Sequence, residues 1–423
     1  MKYYLELKKK IQSKKAKICV VGLGYVGSEI IKKFNKEGFN TAGIDINIKK
    51  IKKKHNFVKR IKLTNNYKII GDADVIIIAL PTPLTKNLNP DLSILRKSLD
   101  TMKHHLKKGQ LISLESSSYP GTTEETIEHL LKLKKFKISK NFFLVYSPER
   151  ISPEIKTEKK GLKYNLHNTP KICAGYSNEC LNLGKDLYKF ITKKVVKSSS
   201  IKSAEAAKMV ENVFRSVNIA LVNELKMFLH KIKIDINDVL DLAGTKPFGF
   251  TKFSPGPGYG GHCIPLDPFY LYWLAKKNNF ELKFIKTAGL INRQITDWIT
   301  KKIIKFIKTK KIKLKNNKVL ILGVAYKKNI DDTRESPALI IGNKLKKKGI
   351  DFEYSDPYVK TVTFKNKKKY SQKINSKLLR EYKIVIIVTD HTKFNYKLIS
   401  KEAKYLFDCR NVIKNRNKNY FKV

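Results

Sequence analysis

The stretch KICVVGLGYVGSEIIKKFNKEGFNTAGIDIN, residues 17–47, decides the fold of the first part of the chain. Ile18 to Val21 form an apolar run of strand length. Gly22, Gly24 and Gly27 follow in the spacing G-x-G-x-x-G, with Tyr25 and Val26 inside the turn. Apolar residues at helical intervals come next, and then a second short apolar run that ends at Asp45. Strand, glycine turn, helix, strand and terminal acid make up the dinucleotide fingerprint in the context it requires. The glycines let backbone approach a pyrophosphate at the helix N-terminus, where unpaired N–H groups and the helix dipole attract negative charge. Asp45 is placed to accept hydrogen bonds from a ribose 2′-hydroxyl. An acid there repels a 2′-phosphate, so NAD is favoured over NADP.

Three further segments extend the same sheet. DADVIIIALPTPL (72–84) is an apolar strand broken by Pro81 and Pro83, and QLISLESSSYPGTTEE (110–125) is a strand that ends in hydroxyls. NFFLVYSPER (141–150) is another. Each turns polar at its C-terminal end, the side on which α/β sheets bind ligands. Pro81, Thr82 and Ser118 are therefore expected around the cofactor. The pattern returns in KVLILGVAYKKNIDDTRESPALIIGNKLKKKGIDFEYSDP (318–357), which reads strand, glycine turn, helix, strand and acid, the acid being Asp356. Ala325 and Tyr326 break the glycine spacing, and the turn then becomes basic. A pyrophosphate held by Lys327 and Arg334 suits this second half better than a second dinucleotide.

Between the halves, residues 200–232 carry one helical pattern, with Met209, Val210, Val213, Val217, Ala220 and Leu221 at i, i+3 and i+4 spacing. Such a helix is about 45 Å long, enough to join two domains and pack against a twin. The expected fold is α/β: two Rossmann-like parallel-sheet domains joined by a long central helix. The expected segments are an NAD-binding domain at 1–199, a central helical region at 200–314 and a second Rossmann-like domain at 315–423.

Composition narrows the function. The chain has 423 residues, a 42% apolar fraction and a formal net charge of +52. That charge raises the question of a polyanion binder. The lysines, however, interrupt every element and form no single basic stripe, which points to solvated faces and to attraction of small anionic substrates. A nucleic-acid partner would also leave the glycine turn without a cause. The apolar runs are of strand length and too short to span a bilayer. Five cysteines, with no C-x-x-C and no metal-like spacing, suit free thiols in a reducing cytoplasm, and no metal is expected.

The densest glycine and proline stretch is FSPGPGYGGHCIPLDP, residues 253–268. Phe253 opens it, and Gly256, Gly258, Gly260 and Gly261 allow backbone to press against an anionic ligand. Cys263 follows His262, and Asp267 follows Cys263 by four residues. A thiol near a lysine ammonium has its thiolate stabilised. On the long helix Lys208 and Asn212 stand four apart and project together. An NAD site and a nucleophilic cysteine together point to aldehyde-level oxidation, because hydride leaves readily from a hemithioacetal.

Six segments in order, VVGLGYVG, SSSYPGTTEE, YSPER, AAKMVENVFR, PGPGYGGHCIPLDPFYL and GVAYKKNIDDTRESPA, resemble the nucleotide-sugar 6-dehydrogenase family. The resemblance runs from about residue 15 to residue 415 and implies oxidation of C6 of a UDP-sugar to the carboxylate with two NAD⁺. It makes Cys263 the covalent nucleophile and Lys208 and Asn212 the pair that steadies the C6 oxyanion. Asp267 would activate the hydrolytic water, and Glu149 would serve as general acid/base. Ser118 stands where the family more often has Thr, keeping the hydroxyl that positions water. Pro153 stands where glucose-type members carry a second acid, and no role is given to it. Glu149, Lys208, Asn212, Phe253, Gly256, Gly258, Gly260, Lys327 and Arg334 would contact the substrate, and the long helix would form a homodimer. His before the cysteine and Leu266–Asp267 after it resemble members acting on UDP-N-acetylhexosamines. UDP-GlcNAc is therefore the first candidate, then UDP-ManNAc, then UDP-glucose. His262 itself is read as a loop-packing residue.

Overall fold

The computed structural model describes all residues except 55–56, 86, 151–157, 160–161, 164, 262–263, 315, 317, 365–366 and 415–418. Cys263, His262 and Pro153 lie outside the described residues. The chain packs as two units, Met1–Glu211 with Phe269–Asn279, and Asn212–Pro268 with Phe280–Val423. The middle segment, 200–314, is thus divided between them.

In the first unit the strands are β1 (Lys17–Val21), β2 (Asn40–Ile44), β3 (Lys62–Thr64), β4 (Val75–Ile78), β5 (Leu111–Leu114) and β6 (Phe143–Tyr146). A short hairpin, β7 (Glu158–Lys159) and β8 (Leu162–Lys163), precedes β9 (Lys171–Gly175) and β10 (Val195–Lys197). The sheet order is β10-β9-β6-β5-β4-β1-β2-β3, parallel throughout except where β9 meets β6. Its first six strands follow the order 3-2-1-4-5-6 of a dinucleotide-binding fold, with the switch of direction between β1 and β4. Helices cover both faces, which is why the strands read as continuous apolar runs without alternation. Ile18, Val20, Val75 and Ile77 point to a core shared with α1 (Lys2–Gln12), α2 (Tyr25–Lys36) and α6 (Asn178–Tyr188). Cys19, Val21, Ile76 and Ile78 point the other way, toward α4 (Ser93–Met102) and α5 (His129–Leu133). A further helix, α3 (Ile48–Lys54), follows β2.

The second unit holds a parallel five-stranded sheet: β11 (Lys318–Leu322), β12 (Asp351–Ser355), β15 (Ile384–Ile387), β16 (Tyr405–Asp408) and β17 (Tyr420–Lys422), ordered β12-β11-β15-β16-β17. This is the 2-1-3-4-5 order, with its switch point between β11 and β15. A hairpin of β13 (Thr361–Phe364) and β14 (Lys367–Tyr370) stands beside it. One face is covered by α10 (Lys283–Thr309) and α11 (Pro337–Lys346), through Ile295, Ile299, Ile303 and Ile341. The other face carries α12 (Ser376–Glu381) and α13 (Tyr396–Glu402).

The expected long helix is α7, Ile201–Lys231. Its buried side mixes apolar residues, Ile201, Ala204, Met209, Ala220 and Val222 among them, with polar ones. Glu205, Lys208, Asn212, Ser216, Asn223 and Lys226 are buried, while Val210, Phe214, Leu221, Leu225 and Phe228 are exposed. Two shorter helices, α8 (Ile236–Ala243) and α9 (Asp267–Lys277), flank the glycine-rich loop. Among the described residues no helix is long and apolar enough to cross a membrane.

Candidate active site

The glycine turn sits between β1 and α2. Gly22 has φ +90, and a Cβ on it would lie 2.6 Å from the Ala79 carbonyl oxygen. A Cβ on Gly27 would lie 1.9 Å from the Gly22 oxygen, so both positions require glycine for the turn itself. Gly24 is different: nothing lies within 4 Å of its would-be Cβ, and no side chain caps the N-terminus of α2 there. Open space against unpaired helix N–H groups fits a pyrophosphate. Asp45, at the tip of β2, accepts from Leu23 N and Asn47 N at 2.9 Å each, which fixes the carboxylate against the turn. Tyr25 is partly exposed; burial, then Glu29 and Glu149, push its phenol up to about 12, so it stays protonated. Val26 packs into the core below. These residues fit NAD.

The loops after β4 and β5 are laced together. Thr82 Oγ1 donates to Ser117 O at 2.6 Å, Ser116 Oγ donates to Leu80 O at 2.7 Å, and the Tyr270 hydroxyl of α9 donates to Thr82 O. Pro81 is exposed at the same edge. Ser118 is fully buried, and its Oγ lies 2.7 Å from Thr122 Oγ1, which itself donates to Tyr119 O. Ser118 must therefore donate to Thr122, which leaves its lone pairs to accept from a water.

α7 supplies three of the buried polar groups. Glu205 accepts from Gly121 N, Thr123 N and Thr123 Oγ1, tying the helix to the Ser118 loop; burial pushes its carboxyl up to about 7. Asn212 Nδ2 donates to Asp267 Oδ2 at 2.6 Å, and both residues are buried. The Asn212 amide thus aims Asp267 at the head of α9. Lys208, only 8% exposed, has no hydrogen-bond or ion-pair partner among the described residues. Its side chain is mostly covered and its ammonium is not committed to any described residue, which leaves it free to meet an anion. Glu149 follows β6, is buried, and accepts from Arg150 N at 2.7 Å with Lys171 3.8 Å away.

The glycine-rich loop is shaped by protein neighbours. A Cβ on Gly256 would meet Arg410 Nη1 at 2.8 Å, and one on Gly260 would meet Tyr326 Cβ at 2.6 Å. Gly258 has φ +118 and rests on Asn292 and Thr296. Gly256 N donates to Asn223 Oδ1, and Gly261 N to Arg334 O, so neither of these N–H groups is left for a ligand. Sequence reasoning assigned these glycines to ligand approach; their close neighbours are the 326–335 turn and Arg410. Phe253 packs edge-on against Phe214, centroids 5.7 Å apart.

At the switch point of the second sheet, Lys327 is half-buried; burial, then Lys328 and Arg410, pull its ammonium down to about 8. Arg334 is exposed and forked onto Asp332, with Nη2 to Oδ2 at 2.6 Å. Arg410 was missed by the sequence reading. It stands just past β16, held by Val388 O at 2.9 Å, against Gly256. The signal was available, since ligand residues follow the C-terminal ends of parallel strands. Asp356, the counterpart of Asp45, is consumed internally by four backbone N–H groups and His391 Nε2. It has no capacity left for a ribose. Among the described residues no group of three or more His, Cys, Asp or Glu could hold a metal.

Comparison with known proteins places this geometry in a class. Residues 53–192 match the NAD binding domain of the UDP-glucose/GDP-mannose dehydrogenase family, 202–294 its central domain and 320–415 its UDP binding domain. Protein CapL of Staphylococcus aureus is 34% identical over 94% of this chain and 96% of its own. A UDP-N-acetyl-D-glucosamine 6-dehydrogenase of Salmonella typhi is 33% identical over 81% of this chain and 82% of its own. The solved structure of a UDP-D-ManNAc dehydrogenase from Pyrococcus horikoshii superposes with a TM-score of 0.83 at 28% identity, covering 96% of this chain and 97% of that one. The chain belongs to the UDP-glucose/GDP-mannose dehydrogenase family. It is an NAD-dependent UDP-sugar dehydrogenase.

Proposed function

We propose that this dehydrogenase oxidises C6 of a UDP-N-acetylhexosamine, UDP-GlcNAc first among them, to the uronate through a thioester on Cys263. The product would feed surface polysaccharide synthesis from the cytoplasm. The observation that carries the reading is Lys208: a buried ammonium with no partner among the described residues, one helical turn from the Asn212–Asp267 pair. UDP-ManNAc is the second reading, favoured by the structural likeness to a dehydrogenase of that sugar.

The glycine turn and Asp45 hold NAD, which supplies the hydride acceptor for both oxidations. Glu149 takes the C6 hydroxyl proton as hydride leaves, giving an aldehyde. The Cys263 thiolate adds to C6, forming the C–S bond, and the Lys208 ammonium holds the oxygen that gains charge. Loss of the second hydride leaves a thioester. Ser118 accepts a hydrogen bond from water, and Asp267, aimed by Asn212, takes that water's proton. Attack at C6 breaks the C–S bond, releasing carboxylate and thiolate. Lys327, Arg410 and Arg334 offer positive charge to the UDP phosphates, while Gly256, Gly258, Gly260 and Phe253 shape the loop that leads to Cys263. The exposed apolar stripe of α7 pairs two copies of the chain.

Purified enzyme should form two NADH for each UDP-GlcNAc consumed and use NAD⁺ far better than NADP⁺. UDP-ManNAc, UDP-GalNAc and UDP-glucose, assayed in parallel, decide the sugar. One NADH with free aldehyde accumulating would rule out the covalent route.

A further inference from the structure

Lys171 has no part in the mechanism above, yet it is buried, at 3% exposure. It opens β9, which runs antiparallel to β6 with Tyr146 opposite Ala174. Lys171 lies three residues before Ala174, and Glu149 three residues after Tyr146, beyond the end of β6. Glu115, the residue after β5, lies beside them. Lys171 Nζ is 2.6 Å from Glu115 Oε2, 3.8 Å from Glu149 Oε2 and 3.4 Å from Ser147 O. The Glu115 carboxylate also accepts from the Tyr188 hydroxyl at 2.6 Å, and Ser113 Oγ lies 2.7 Å from the same hydroxyl. One ammonium is therefore shared by two carboxylates in a water-poor place.

We propose that Lys171 is the positioning residue for Glu149, and that Glu115 in turn holds the Lys171 side chain in place. The inference rests on the reading of Glu149 as the general base. Among the described residues, charged or titratable groups near Glu149 include Arg150, held by Glu211 at 2.6 Å and by Pro170 O, and Tyr25 of the glycine turn. Arg150 is thus already paired, and Tyr25 stays neutral in the working range. Lys171 is the cation on the open side of the balance.

The energetics agree. Burial works against the Lys171 ammonium, but Glu115 and Glu149 outweigh it and hold its pKa above the ordinary value, so it stays charged. Burial pushes Glu115 up to about 7, although Lys171 and Tyr188 both stabilise its ionised form. Such groups titrate as a set. Removing the ammonium withdraws the support of Glu149.

The test is the pH dependence of kcat/KM of the full-length enzyme, followed as NADH with a UDP-sugar that it turns over. Wild type, Glu149→Gln, Glu115→Gln, Lys171→Arg and the double variant Lys171→Met/Glu115→Gln are compared. The double variant avoids leaving a buried carboxylate unpaired, and thermal melts check that each protein is folded. The acidic limb should move up by about one unit in the double variant, while Lys171→Arg stays near wild type. Glu115→Gln should stay there too, since it only makes permanent the neutral form that Glu115 takes below about pH 7. A folded double variant whose limb coincides with wild type overturns the proposal. Glu149→Gln keeps the two readings apart: if it retains the acidic limb, Glu149 is not the base, whatever the other variants do.

Discussion

Lys208 shows how one residue can be poorly read in sequence and informative in structure. On a helix of a chain with net charge +52, a lysine is most simply a solvated one. Packing leaves it buried and, among the described residues, without a partner. In the proposed mechanism it meets the oxygen that gains charge at C6. Lys208→Met should therefore fold as well as wild type or better, since an unpaired buried charge is removed. Its kcat should fall by about 10²–10³, the usual loss for one oxyanion donor, with the affinity for NAD⁺ unchanged. Steady-state kinetics and a thermal melt on the same preparation check both halves. A variant that lost stability and kept its kcat would make Lys208 a packing residue.

At the scale of the element, α7 departs from a simple amphipathic helix in burying polar groups and exposing an apolar stripe. Its buried side carries Glu205, Asn212, Ser216 and Asn223, each with a hydrogen-bond partner, and its exposed side carries Val210, Phe214, Leu221, Leu225 and Phe228. An exposed apolar stripe of this length on one helix favours association with another chain. Phe214→Glu with Leu221→Glu should leave the fold intact, because both side chains are exposed, and should abolish the proposed pairing of two copies. Sedimentation equilibrium reads this directly, and an unchanged mass would move the interface elsewhere. Periodicity alone could locate the helix to within a residue at each end. It could not say which stripe faces the protein, because that depends on which neighbours offer hydrogen bonds.

At the scale of the whole molecule, the two sheets repeat one plan but spend their strand-end acids differently. Asp45 keeps its place at an open turn, whereas Asp356 is buried and clamps the β11 turn to the 356–359 turn and to His391. Burial alone would raise the Asp356 pKa; the hydrogen bond from His391 and the backbone N–H donors outweigh it and hold the carboxyl below its usual range. A depressed folded pKa gives stability that is complete above the unfolded value, about 3.9, and is lost as pH falls through the folded one. Asp356→Asn should cost about 3 kcal/mol at neutral pH, since several buried donors lose their acceptor. The gap between variant and wild type should narrow below about pH 4. Urea unfolding across that range checks it, and a gap independent of pH would assign the loss to packing instead of charge.

The sequence by itself determined the two parallel sheets, the NAD turn and the long helix, because these rest on local spacing: glycines where backbone must close in, apolar runs where both faces are covered, one period along α7. It also marked Glu149, Lys208, Asn212 and Asp267 by residue type and motif. What the tertiary structure decided was partnership. Asn212 meets Asp267 across 55 positions of sequence, Lys171 comes near Glu149 only through the antiparallel pairing of β9 with β6, and Gly260 is glycine because Tyr326 lies 2.6 Å from where its Cβ would be. Arg410 reaches Gly256 from the end of β16. None of these distances follows from local spacing, because each depends on which strand ends the sheet order brings side by side.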